Sequence, residues 1–355
     1  MIFKETKIFK ISDSFPTKED IEKLKEAADI IKAGGTVCFP TETVYGLGAN
    51  ALDAEAVKEI FVAKGRPQDN PLIIHLDEIE NAEKYCLYKE NPYINKLIKF
   101  FPGPLTAILK KRDVVPCIVT ANLDSVGVRI PENPIAHEFL RLCGVPVAAP
   151  SANISGKPSP TCADHVIEDL FGKVDAIIYA GNCDVGLEST IVSLVKDPPI
   201  LLRPGGITYE MLCDALCEVA VSDAVLSEMK PDDKASAPGM KYKHYAPKTP
   251  VFLVMGNDKK VIDFLKDKQT GESCAILAFT EDLKYLESKN VFDIGSKSNP
   301  DENAKRIFAH LRATDSICGL LNVYVHISDD KSGLRLAVFN RLLKASAYHI
   351  ITLED

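Results

Sequence analysis

Gly34-Gly35-Thr36-Val37-Cys38-Phe39-Pro40-Thr41-Glu42-Thr43-Val44-Tyr45-Gly46-Leu47-Gly48 joins a helix stop, a short apolar run and a loop of small, hydroxyl and glycine residues. Residues 36–40 form a short apolar run between turn residues, the pattern of a buried strand. Before it, residues 17–33 carry a helical stripe of Ile21, Leu24, Ala28 and Ile31. Thr17 is placed to cap that helix, Asp20 sits in its first turn, and Gly34-Gly35 stops it. After it, Asp53 caps a second helix over residues 54–64. A strand set between two helices is the repeating unit of α/β folds.

The alternation continues along the chain. Residues 71–76, 105–110, 126–130, 145–149, 176–180 and 190–195 read as strands. Residues 91–101, 135–142 and 163–171 read as helices. Several strands follow one another with no helix between, so the expected sheet is mixed and twisted rather than all parallel. Residues 222–250 are polar and carry Pro231, Pro238, Pro247 and Pro250, which reads as a linker. Strands at 251–255, 274–279 and 320–326, with helices at 258–267, 302–313 and 334–347, describe a smaller α/β unit beyond it. The expected division is 1–220, a linker at 221–249 acting as an active-site lid, and 250–355.

The bulk numbers narrow the function. The 355 residues carry a net charge of −8, so no strongly basic nucleic-acid surface shows in the total, although a local basic cleft still fits. The 10 cysteines include no CxxC pair. Cys213 and Cys217 are the closest, one turn apart on an apparent helix, and buried reduced thiols are expected, which suits a reducing compartment. Met1-Ile2-Phe3-Lys4-Glu5 has no signal-peptide character, and no apolar run approaches the ~20 residues of a membrane span. The expectation is a cytoplasmic protein without membrane contact.

There is no GxxxxGK[ST] loop, no GxGxxG opening a helix, no HExxH, no GxSxG and no His/Cys ligand cluster. What stands out is a set of strand-end loops rich in small, hydroxyl and basic residues. Open α/β sheets place ligands at such loops. Pro40 to Gly48 is the first. Lys64-Gly65-Arg66-Pro67 is the second, with two cations around a glycine beside rigid prolines; alone, it is more often a charged helix end than a phosphate clamp. His75 within Leu72-Ile73-Ile74-His75-Leu76 is, alone, more often a satisfied core histidine. Arg129 alternates with Val128 and Ile130. Residues 150–161 offer Ser151, Asn153, Ser155, Ser159, Thr161 and Lys157 ahead of a helix N-terminus, a natural anion site. Gly186 to Thr190, Leu201 to Gly206 around Arg203, and the aromatic-basic run 237–247 complete the set. Together they suit a triphosphate and a small polar co-substrate in one cation-lined cleft.

Read in order, PTETVYGLG, KGRP…NPL, FPGPLT, VGVRIP, APSAN.SG.PSPT, ESTI and LRPG, followed by PGMKYKHYAP, resemble the long, two-domain members of the YrdC-type family of L-threonylcarbamoyladenylate synthases. The resemblance covers nearly the whole chain and is weakest in the C-terminal part. It implies an α/β fold: an N-terminal YrdC-like twisted mixed sheet with flanking helices, and a smaller C-terminal Rossmann-like α/β domain. It implies that L-threonine, bicarbonate (or CO2) and ATP become threonylcarbamoyl-AMP and pyrophosphate, with Mg2+ on the phosphates and no protein side chain as a metal ligand. A separate tRNA threonylcarbamoyl transferase complex would then modify the adenosine beside the anticodon of tRNAs reading ANN codons, and weak tRNA binding by this chain is consistent with that. By matching position, Thr43, His75, Arg129, the backbone at Ala149, and Ser189 would hold threonine. Lys64, Arg66, Asn70, Ser125, Ser151, Ser159, Arg203 and Tyr245 would hold ATP, with Lys64, Arg66 and His75 positioning the reacting groups. An RNA-binding module and a carbamoyl-transfer domain acting on another acceptor are the competing readings.

Overall fold

Thr17 and Asp20 close the first helix reciprocally: the Thr17 hydroxyl accepts from the Asp20 amide, and the Asp20 carboxylate accepts from the Thr17 amide. The computed structural model describes residues 3–12, 15–228, 237–238, 245–286 and 289–354. It divides into two units. Among the described residues, one holds 3–12, 15–155, 159–225 and 237–238; the other takes in 156–158, 226–228 and those from 245 onward.

The first unit runs β1 (Lys7–Lys10), α1 (Lys18–Lys32), β2 (Val37–Phe39), β3 (Gly46–Asn50), α2 (Ala54–Lys64), β4 (Ile73–His75), α3 (Ile94–Leu97) and β5 (Leu105–Lys110). It continues through α4 (Cys117–Thr120), β6 (Ser125–Arg129), α5 (Pro134–Cys143), β7 (Val147–Ala148), α6 (Ala163–Leu170) and β8 (Ala176–Tyr179). It ends in β9 (Thr190–Ser193), β10 (Ile200–Arg203), α7 (Tyr209–Leu216) and β11 (Ala220–Val221). The sheet order is β1-β8-β2-β3-β7-β4-β6-β5-β9-β10-β11. Parallel pairs such as β4/β6 and β5/β9 alternate with antiparallel ones such as β2/β3 and β5/β6, so the sheet is mixed, as expected.

Alternation along β2 shows how the sheet is covered. Cys38 faces a core with Leu47, Ile60, Phe61 and Ile74, while Val37 and Phe39 face another with Leu24 and Ile31 of α1 and Phe139 of α5. Each such buried Leu, Ile or Phe contributes about 1.5–3 kcal/mol.

The second unit has β12 (Val251–Gly256), α8 (Asp258–Gly271), β13 (Cys274–Ala278), β14 (Val291–Asp293), α9 (Pro300–Thr314), β15 (Asn322–His326), α10 (Leu334–Ala345) and β16 (Ile350–Leu353). All pairs in its five-stranded sheet, β14-β13-β15-β12-β16, are parallel. Val261 and Leu265 of α8 pack against Val254, Ile276 and Tyr324. This is the Rossmann-like arrangement expected for the C-terminal part.

Some expectations need correction. Residues 91–101 are not one helix: only Ile94–Leu97 is α-helical, followed by a 3-10 turn at Ile98–Phe100. The Asn91 side chain accepts from the Tyr93 amide and donates to the Leu194 carbonyl, a local turn that competes with helix formation. β3 was expected as loop; Gly46 and Gly48 hide it because a Cβ at Gly48 would stand 2.6 Å from Val147 Cγ1. Residues 200–203, read as part of a loop, form β10, and the short edge strands β1, β11, β14 and β16 were not foreseen. Cys217 does not continue the helix of Cys213 but ends it at φ 73°, and it is exposed rather than buried. Within the expected linker and lid, residues 229–236 and 239–244 lie outside the described residues. Among the described residues, no helix is long and apolar enough to cross a membrane.

Candidate active site

Sheet register gathers the first group of side chains. His75 of β4 pairs with Arg129 of β6, which pairs in turn with Thr106 of β5, so the three point to the same face. The buried Arg129 Nη2 donates to Glu42 Oε1 at 2.7 Å and lies 3.5 Å from Thr41 Oγ1. Its Nε is buried with no hydrogen-bond partner, and so is Nδ1 of His75. Burial first, and the Arg129 charge second, pull the His75 imidazole down to about 3, so it is neutral at physiological pH. Two buried polar atoms with unused hydrogen-bonding capacity on neighbouring strands mark a place built for a polar ligand.

The turn between β2 and β3 supplies the wall beside them. Thr41 Oγ1 donates to the Val44 carbonyl at 2.6 Å and accepts from the Thr43 and Val44 amides, which folds the turn on itself. The Thr43 hydroxyl, fully buried, stands 2.8 Å from that of Thr41. The Tyr45 hydroxyl reaches the carbonyls of Ala180 and Gly181 at 2.8 and 2.9 Å and ties the turn to the end of β8.

A second group lines up on Ser189. Its Oγ is 2.8 Å from Thr106 Oγ1 and accepts from Arg203 Nη2 at 3.2 Å. Arg203 Nε also donates to the Ser189 carbonyl at 3.0 Å, and Nη1 to the Pro238 carbonyl at 3.3 Å. The buried Ser159 hydroxyl donates to the buried Glu188 carboxylate. Gly205 makes this fit possible, since a Cβ there would stand 2.4 Å from the Thr190 amide nitrogen.

The third group sits at the end of α2. Gly65 takes the left-handed conformation at φ 60° that ends the helix after Lys64. Lys64 Nζ donates to the carbonyls of Ser151 and Asn153, both at 2.6 Å. Ser151 Oγ donates to Asn153 Oδ1 at 2.6 Å. Arg66 Nη2 is 3.4 Å from the Asn70 carbonyl, and Asn70 Oδ1 is buried without a partner.

The structure thus joins His75, Arg129 and Thr43 in one cluster, Ser159, Ser189 and Arg203 in a second, and Lys64, Ser151, Arg66 and Asn70 in a third. Thr106 links the first two. Ala149 follows β7 and donates its amide to the Ile73 carbonyl at 2.9 Å, beside His75. Ser125 begins β6, four residues or ~13 Å along the strand from Arg129. It lines a narrow cleft with Leu72, Thr106, Gly127 and Pro238. Tyr245 lies in the second unit, where its ring packs on Phe308 at 5.2 Å and the Arg341 guanidinium sits over it at 5.7 Å. Sequence reading assigned no role to Glu42, Thr106 or Glu188. Glu42 and Glu188 lie inside motifs already singled out; two acids within otherwise uncharged motifs were the available signal.

Comparison with known proteins gives a consistent result. The family model described as "Telomere recombination" (Sua5, YciO, YrdC) matches residues 29–205, and that described as "Threonylcarbamoyl-AMP synthase, C-terminal domain" matches residues 207–347. A threonylcarbamoyl-AMP synthase of Pyrococcus abyssi is 46% identical over 343 residues, covering 94% of this chain and 97% of that protein. One from Bacillus subtilis is 38% identical, covering 96% and 97%. The crystal structure of P. abyssi Sua5 complexed with L-threonine superposes with a TM-score of 0.90 at 42% identity, over 98% of this chain and 100% of that one.

Proposed function

Because the chain belongs to the threonylcarbamoyl-AMP synthase family, we propose that its first unit joins carboxylated L-threonine to the AMP part of ATP. The enzyme is of nucleotidyltransferase type. The threonine nitrogen takes up CO2, from bicarbonate with loss of water, as a carbamate. A carbamate oxygen then attacks the α-phosphorus of ATP, the bond to the β-phosphate breaks, and pyrophosphate leaves.

The observation that carries this reading is the pair of unused buried atoms, Arg129 Nε and His75 Nδ1, on register-paired strands. An arginine is the natural partner of a carboxylate, and the threonine carboxylate fits that donor. Thr43, Ser189 and the backbone at Ala149 surround the amino acid. Lys64, Arg66, Asn70, Ser125, Ser151, Ser159 and Arg203 lie along the path of ATP, where cations offset the charge developing on the phosphates. Positioning and charge neutralisation supply the catalysis, since the chain forms no covalent intermediate in this scheme. Magnesium belongs with the ATP phosphates, whose oxygens it takes readily as ligands. Among the described residues no group of three or more His, Cys, Asp or Glu side chains is arranged to hold a metal.

The product is a mixed anhydride, an activated acyl group that calls for an acceptor. A tRNA threonylcarbamoyl transferase complex, acting on the adenosine beside the anticodon, is the proposed consumer. The test is direct. Purified protein supplied with threonine, bicarbonate, ATP and Mg2+ is expected to release pyrophosphate and form threonylcarbamoyl-AMP only when all four are present. Pyrophosphate release that does not depend on threonine would defeat the assignment.

A further inference from the structure

Glu42 is a carboxylate placed where a carboxylate is costly. It is 5% exposed, in the turn between β2 and β3, and it is fixed at three points. Its Oε1 accepts from Arg129 Nη2 at 2.7 Å, its Oε2 from the Glu132 amide at 3.2 Å, and its backbone carbonyl from the Val185 amide at 2.8 Å. A buried ion pair adds little net stability, because desolvation of both charges offsets their attraction. Stability alone therefore gives a weak reason for a charged pair here.

The geometry of Arg129 gives a better one. The guanidinium is held through one terminal nitrogen, while its Nε–H is left unspent beside the equally unspent Nδ1 of His75. A free arginine side chain carries large rotamer entropy, and ordering it upon ligand binding would weaken that binding. Glu42 removes that cost in advance. Its own fixation also argues against a carboxylate that leaves to make room for the substrate: moving it would strip a donor's partner from the Glu132 amide and leave a buried charge uncompensated.

We propose that Glu42 is a positioning residue of the synthase, holding Arg129 by Nη2 so that Nε–H is presented to the threonine carboxylate. The inference rests on the assignment of that carboxylate to Arg129. Glu42 itself touches no reacting atom.

The test compares full-length wild type, E42Q, E42A and R129K. It measures KM for threonine, KM for ATP, and inhibition by L-threoninol, which lacks the carboxylate. E42A is expected to raise the threonine KM roughly tenfold or more, the worth of one charge-assisted hydrogen bond, and E42Q less, since its amide oxygen still accepts from Arg129. The ATP KM and the threoninol inhibition constant are expected to stay within about twofold. Tighter threonine use by E42A would overturn the proposal by making Glu42 a competitor of the substrate. Equal losses for threonine, threoninol and ATP would overturn it by making the pair merely structural, as would no change at all. Should E42A fail to fold, E42Q carries the same comparison. If R129K leaves threonine use intact, the carboxylate assignment itself fails, and that outcome is separate from Arg129 mattering while Glu42 does not.

Discussion

The ammonium of Lys64 lies 2.6 Å from the carbonyl oxygens of both Ser151 and Asn153. Helix α2 thereby ends by gripping the loop that follows β7, and the Lys64 carbonyl takes the Ser155 amide at 2.9 Å to close the connection from the other side. Lys64 thus shapes the serine-rich loop as well as carrying charge toward the proposed ATP path. Lys64→Met keeps the apolar stem and removes the donors. Hydrogen bonds to a charged group are worth about 1.5–3 kcal/mol each, so the variant should melt several degrees lower and show a raised KM for ATP. Thermal unfolding and initial rates at varied ATP check this. An unchanged melting point together with an unchanged ATP KM would contradict it. Lys64→Arg is expected to rescue poorly, because a planar fork cannot match two carbonyls arranged for a point donor.

Arg129 should separate the two substrates. Arg129→Ala removes the carboxylate partner and leaves Glu42 buried without its cation, a change worth about 3–5 kcal/mol at a buried pair. Threonine use is expected to fall far more than ATP binding. Binding of a non-hydrolysable ATP analogue, followed by calorimetry, distinguishes the two, and equal loss of both would contradict the partition of the site.

Much of this was legible in the chain, and the rest was hidden for identifiable reasons. The helices read with polar caps, Thr17 before α1 and Asp53 before α2, announce themselves because a side-chain oxygen must take up their first amides. β3 did not, because glycines at positions 46 and 48 are demanded by the Phe39 ring and Val147 and mask the strand pattern. The basic and hydroxyl residues of the site could be named, since their chemistry faces a ligand. Their partners could not: the pairing of Glu42 with Arg129, or of Ser159 with Glu188, depends on strand ends brought together by β6 and β9. Nor does sequence spacing reveal that Lys64 meets residues 87 and 89 positions further on.

Gly205 offers a prediction about shape alone. A Cβ there would stand 2.4 Å from the Thr190 nitrogen, 2.7 Å from the Glu188 carbonyl oxygen and 2.8 Å from the Ser189 carbonyl carbon. All three are backbone atoms, so the strain cannot be relieved by a side-chain rotation. Gly205→Ala should push the Glu188–Thr190 segment away from Arg203 and lose both Arg203 bonds to Ser189. Overpacking of this kind costs about 1–3 kcal/mol or more. A lowered melting point with reduced turnover is expected. Gly206→Ala makes a useful contrast, since its nearest neighbour is the Pro104 ring at 3.0 Å. If the two variants behave alike, the close approach at position 205 is not what the loop requires.

His75 links the site to the pH dependence of stability. In the folded protein its imidazole is pulled down to about 3 by burial and by Arg129, against 6.5 as the ordinary value. A base whose folded pKa is depressed is neutral in the native state while the unfolded chain already binds the proton. Stability is therefore unaffected above about pH 7 and falls as the pH drops from about 6.5 toward 3, by up to ~1.4 kcal/mol per unit. His75→Gln removes that proton difference. The stability gap between wild type and variant should narrow by about 2 kcal/mol between pH 7.5 and pH 5, read from urea midpoints at each pH. A gap that stays constant over that range would mean that the folded imidazole takes up its proton over the same range as the unfolded one, and the depression by burial and Arg129 would have to be abandoned.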